Sequence, residues 1–158
     1  MFSRGELAKD YFLSGYNCCQ SVVLAFSDLT DFDEKMLSAI SRPFGTGMGG
    51  MRETCGTVSG MWIVLGAVFG DQDQKDPRKR NELYSRVREL ANRFEEANGS
   101  LYCRELLGLT PVVKGKDVFA DVPEIKKEKR PCPELVKFAA DLLQEYIEDH
   151  KSEITKAA

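Results

Sequence analysis

"FGTGMGGMRETCGTVSG", residues 44–60, decides how the chain folds, because its six glycines and one cysteine allow two opposite readings. Gly45-Thr46-Gly47-Met48-Gly49-Gly50 spells GxGxxG, the turn that seats a dinucleotide phosphate in a parallel α/β sheet. That turn needs a strand before it, a helix opening inside it, and an acidic residue about 20 positions later. Here Pro43 and a short polar helical stretch precede it, no strand pattern is visible, and helical periodicity resumes only after Thr54. The glycines are better explained as a collar that lets the backbone bend sharply around Cys55.

Outward from the collar the pattern is helical in both directions. Ser3 and Glu6 make a capping-box signature, followed at helical spacing by Leu7, Tyr11, Gly15, Cys18, Val22 and Ala25. Ala8, Phe12, Cys19, Val23 and Phe26 form an adjacent row, so one wide buried stripe is expected, with Cys18 and Cys19 mid-helix. A short helix spans residues 33–41 and stops before Pro43. On the other side, CGTVSGMWIVLGAVFG (55–70) carries no charge. It falls short of the roughly 20 residues of a membrane span and is broken by glycines. A central helix buried on all sides is the expectation, opened by Thr54 as N-cap, with Gly56 and Gly60 as a small face for close approach of a neighbour or cofactor.

Asp76-Pro77 opens the next helix, with Leu83, Val87, Leu90, Phe94 and Ala97 on its apolar face, and Asn98-Gly99 ends it. Ser100 can cap a short helix through LYCRELL. Residues 110–131 show no period and are expected as an irregular loop, either a lid over a small-ligand pocket or a solvated surface wrap. Pro133 opens a last helix with Leu135, Ala139, Leu142 and Tyr146 inward. The expected fold is all-α: one single-domain helical bundle, residues 1–158, with a buried central helix.

Composition narrows the function. With 158 residues, 42% hydrophobic, 30% charged and a net charge of -3, the chain lacks the concentrated basic face of a nucleic-acid binder. The start, MFSRGELAKDYF, has no cationic region followed by an apolar run, so a cytoplasmic location without a membrane span is expected. In a reducing compartment five cysteines are inert core thiols, metal ligands or redox thiols rather than a disulfide framework.

Their placement favours chemistry. Cys55 at a helix start should ionise readily, since unpaired amides and the helix dipole favour an anion there. Cys103 follows the Ser100 cap by three residues, and Cys132 lies just ahead of Pro133. Adjacent residues on a helix point about 100° apart, so only one of Cys18 and Cys19 should join a shared cluster. No CxxC pair is present, which disfavours zinc-ribbon and thioredoxin-like sites, but a bundle can gather single residues from four helices. Arg42, Arg52 and Glu53 flank the collar, where an arginine would lower a thiol pKa further and surface ion pairing is the default. Met48, Met51 and Met61 could offer soft ligands but suit packing better, as do Trp62, Phe44 and Tyr16. The lone His150 suits a helix C-terminus rather than catalysis.

"GYNCCQSVVLAF", "ETCGTVSG", "CRELLG" and the later Cys132, in that order, resemble the C_GCAxxG_C_C family of redox-active proteins, over most of the chain from Gly15 to the last helix. The resemblance implies that Cys18, Cys55, Cys103 and Cys132 form the functional set, as thiol catalysts or metal ligands. Thr57 stands where the family usually has alanine, and Cys19 where a small residue is common, so the choice between Cys18 and Cys19 stays open. A looser similarity to the cysteine-bearing part of split-Soret cytochromes implies an iron–sulfur centre; no CxxCH for haem attachment is present.

Two redox mechanisms follow. Four thiolates could hold an iron–sulfur cluster or another soft metal, or Cys55 could attack a disulfide with a neighbour resolving it. Either way a redox partner is implied, and an oxidoreductase activity is compatible with both. The alternative is a non-catalytic small-ligand-binding or structural helical module with incidental thiols. A GxxxG-type face is compatible with a homodimer without requiring one.

Overall fold

A computed structural model of the chain describes residues 2–71, 75–109 and 130–154. Eight helices appear in order: α1 Arg4–Leu13, α2 Cys18–Leu24, α3 Glu34–Ser41, α4 Gly45–Met48, α5 Gly56–Phe69, α6 Pro77–Asn98, α7 Cys103–Leu106 and α8 Cys132–Asp149. Among the described residues the only β pairing is an isolated antiparallel bridge between Thr54 and Tyr102. The expected all-α bundle is what forms; the expected loop at 110–131 lies, up to residue 129, outside the described residues.

The single long N-terminal helix is replaced by two. Gly15 has φ +113°, a conformation other side chains rarely adopt, and it ends α1 just after Leu13. Asn17 then caps α2 in a reciprocal box with Gln20: the Gln20 N–H donates to Asn17 Oδ1 at 2.9 Å, and the Asn17 N–H donates to Gln20 Oε1 at 3.0 Å. Cys18 is therefore the first residue of α2 rather than a mid-helix residue. The break lets α1 lie along α8 while α2 turns to face α5.

α5 packs against α2, α6 and α8 as the central helix. Val58, Met61, Val64 and Leu65 are fully buried, whereas Trp62, Ile63 and Ala67 are half-buried and Gly66 is exposed. Burial on all sides is thus corrected to burial on all but one stripe. α8 places Leu135, Val136, Ala139, Ala140, Leu143 and Tyr146 in the core, matching its 3.6-residue period. At about 25 cal/mol per Å², each of the buried leucines and valines contributes about 1.5–3 kcal/mol of burial free energy. α6 starts at the Asp76 cap and ends at Gly99, left-handed at φ +90°. No helix of the described residues is long and apolar enough to cross a membrane.

Candidate functional site

Four helix starts meet at one end of the bundle. Cys18 is the first residue of α2, Cys103 the first of α7 and Cys132 the first of α8, and Cys55 is the N-cap of α5. Thr54 therefore yields the capping position to Cys55, and Tyr102 rather than Ser100 precedes α7. Ser100 still organises that turn, since its Oγ accepts from the Tyr102 N–H at 2.9 Å and donates to Glu105. All four cysteines line a single cavity of about 160 Å³ with Arg52, Arg130, Thr57 and Asn17. All five thiols are free, and Cys18, Cys55 and Cys103 are buried.

Backbone pairing clips two of them together. The Cys55 N–H donates to Leu101 O at 2.7 Å, and the Cys103 N–H donates to Glu53 O at 2.7 Å. These bonds flank the Thr54–Tyr102 bridge, and side chains alternate across a pleated ribbon. Cys55 and Cys103, each one residue past the bridged pair, accordingly share the face opposite Thr54 and Tyr102. Two glycines clear the space. A methyl group at Gly56 would overlap Cys18 Sγ, and one at Gly47 would lie 2.6 Å from Cys103 Cβ. The collar of residues 45–50 winds through left-handed backbone at Thr46, Gly47, Met48, Gly49 and Gly50 to make that approach.

Gly60, expected beside a cofactor, is not in the cavity lining. Its missing side chain instead admits Val22 Cβ and Cys19 O of α2, so it is a helix-packing residue. Cys19 is fully buried and likewise absent from the cavity lining, so of the adjacent pair it is Cys18 that lines the cavity with Cys55, Cys103 and Cys132.

The expected low-pKa Cys55 is overturned. Burial pushes its thiol up to about 12, with the nearby Cys18 adding to the rise. The Thr57 hydroxyl, 3.1 Å from Cys55 Sγ, opposes this without prevailing. Desolvation outweighs the helix terminus because it disfavours a charge more strongly than a few amides favour it. Burial also raises Cys18, takes Cys19 to about 12, and takes Cys132 to about 11 despite the opposing charges of Arg130 and Arg52. Burial thus disfavours the thiolate form of each of these four cysteines.

Arg52 is the residue that sequence reasoning misplaced. Its left-handed backbone, φ +58°, turns the side chain inward until the residue is only 9% exposed. Nη1 donates to Cys103 Sγ at 3.7 Å, while among the described residues Nε has no hydrogen-bond partner. Arg42 and Glu53 stay exposed, Glu53 pairing with Arg104 at 3.0 Å. The other candidates are structural or peripheral. Met61 is core, Met51 is exposed, Phe44 and Trp62 pack at the core edge, and His150 stacks on Tyr146 at the end of α8, whereas Tyr16 is partly exposed and lines the cavity. Among the described residues no three His, Cys, Asp or Glu side chains are spaced to hold one metal ion.

No curated protein and no solved structure matches the chain. Residues 16–146 match the family model described as "Putative redox-active protein (C_GCAxxG_C_C)". That span holds every cavity cysteine and most of the chain, and the protein belongs to the C_GCAxxG_C_C redox-active family.

Proposed function

We propose that Cys18, Cys55, Cys103 and Cys132 together hold a polynuclear iron–sulfur cluster and that the protein is a redox protein working through it. The observation that carries this is the meeting of four thiols from four helix starts around one cavity. A single tetrahedral ion would need its ligands within about 2.3 Å of one point. Among the described residues no three His, Cys, Asp or Glu side chains are grouped in that way, and a cluster would interpose its own iron and sulfide between the cysteine sulfurs. The donor set is all sulfur, as iron–sulfur ligation prefers.

The electrostatics support the same reading. Thiolate exchange requires an ionised nucleophile, yet burial holds the Cys55 thiol neutral with a pKa of about 12. Metal binding reverses that balance, because the cation compensates the charge that burial penalises and the protons are released. When bound, a cluster supplies reversible electron transfer. The chain's own part is to exclude water and to hold four sulfurs around one cavity. A redox partner would exchange the electron.

Anaerobic reconstitution with ferrous iron and sulfide tests this. The expected result is a brown protein with visible charge-transfer absorbance, bleached by dithionite, and with iron and acid-labile sulfide in near-equal amounts. A colourless product whose oxidation yields a titratable disulfide among the four cysteines would replace the cluster with thiol–disulfide exchange.

A further inference from the structure

The cavity holds a second chemical statement that the cysteines do not make. Arg52 is nine-tenths buried, its Nε hydrogen has no acceptor, and among the described residues it forms no ion pair. A buried guanidinium without a counter-charge costs several kcal/mol, so its retention calls for an anion in the space it lines. Among the described residues its side chain hydrogen-bonds to Cys103 Sγ alone, a weak acceptor as a thiol and a strong one as a thiolate. The position is also over-determined. The backbone of Arg52 is held left-handed by its N–H donating to Thr46 O at 3.3 Å and its O accepting from the Arg104 N–H at 3.2 Å. Those bonds turn the guanidinium inward at the cost of a strained backbone.

We propose that Arg52 is a positioning residue for the thiolate centre: it supplies the internal counter-charge, donating Nη1–H to the Cys103 thiolate and Nε–H to the anionic guest in the cavity, and so sets the centre's reduction potential. This rests on the cluster assigned above. A fixed positive charge beside the centre stabilises its more negative, reduced form, because Coulomb energies are large where water is excluded. Removing it therefore makes reduction harder. Lysine at the same position restores the charge but not the planar fork, and should restore the potential in part.

The test is a spectroelectrochemical titration of reconstituted wild type, Arg52→Gln, Arg52→Lys and, as a control for general surface charge, the exposed Arg42→Gln, with iron content measured on each sample. R52Q is expected to load iron to the wild-type level and to show a reduction equilibrium constant at least tenfold less favourable, a midpoint about 59 mV lower for one electron. R52K should recover at least half of that shift, and R42Q should not move it. Failure of R52Q to load while R52K loads would also support the counter-charge role. R52Q that loads fully with a reduction equilibrium constant within twofold of wild type would overturn it, as would failure of both folded variants to load. Wild-type protein that takes up no iron would sink the cluster itself, whereas an indifferent R52Q beside a loaded wild type sinks only the role of Arg52.

Discussion

The two ends of α8 treat an arginine in opposite ways. At its C-terminal end, Arg86 has every face used: Nη1 donates to the Tyr146 hydroxyl at 3.1 Å, Nη2 to Glu153 at 2.7 Å, and the plane lies 4.3 Å from the centre of the Phe69 ring. At its N-terminal end, beside Cys132, Arg52 is more deeply buried and leaves Nε unsatisfied, which costs about 1–3 kcal/mol. The first end is complete as it stands and holds the fold. The second leaves a buried donor open, which the proposed anionic guest would fill, as expected of a site kept for function rather than stability.

The sharpest test of that contrast lies within one dipeptide. Cys18 lines the cavity and Cys19 does not, so Cys18→Ala should abolish iron loading while Cys19→Ala keeps it. Equal loading by the two variants, measured as iron per chain, would break the distinction between a sulfur end and a core. Two glycines of α5 extend it. Gly56→Ala would overlap Cys18 Sγ and should destabilise the protein by about 1–3 kcal/mol while displacing that sulfur. Gly66→Ala meets nothing within 4 Å on the exposed side of the same helix and should stabilise it by about 0.5–1 kcal/mol. Denaturant melts of both variants check the sign. If both shift the same way, the close approach at Gly56 is not what makes room for the site.

At the satisfied end, Tyr146→Phe removes one hydrogen bond from Arg86 and leaves the Glu153 pair, for a loss of about 1 kcal/mol and no change in iron loading. The smallest expected effect is in acid. Asp141 ties α1 to α8 by accepting from Ser3 Oγ at 2.8 Å, the Gly5 N–H at 2.9 Å and Lys137 Nζ at 2.7 Å. Burial pushes its carboxyl up, but Lys137, Ser3 and Gly5 outweigh this and hold it below the ordinary 3.8. Its contribution is therefore fully present above pH 3.8 and is lost as pH falls through the depressed folded value. Thermal melts across pH 2–5 (about that window by the same linkage) should show a steeper acid limb for wild type than for Asp141→Asn; parallel limbs would remove Asp141 from the account.

Much of the bundle was legible because its helices carry local signals. Asp33 and Asp76 sit where caps belong, Gly99 ends α6, and the inward row of α8 keeps its period to Tyr146. The break between α1 and α2 was hidden because Leu7 to Ala25 keeps one apolar phase straight through it. Gly15 and the pair Asn17 and Gln20 were the signals available, and a capping box that opens two residues beyond a positive-φ glycine outranks a continuous stripe. At the site, cysteine order and the helix-start placement of Cys55, Cys103 and Cys132 were readable, but that of Cys18 and the thiol ionisation were not. Helix position is a local property, whereas desolvation depends on what the other helices cover. Arg52 was missed for a related reason: side-chain direction follows from a left-handed backbone that only the folded collar imposes, and an arginine in a glycine-rich loop gives no sign of pointing inward.

Native mass spectrometry of the reconstituted chain and its single-cysteine variants bears most directly on the claim that four helix starts share one guest. Wild type and C19A should each carry one mass increment corresponding to a polynuclear iron–sulfur cluster, and that increment should fall at least tenfold in each of C18A, C55A, C103A and C132A. Wild type without an increment, or an increment that survives the loss of any two of the four in turn, would contradict it.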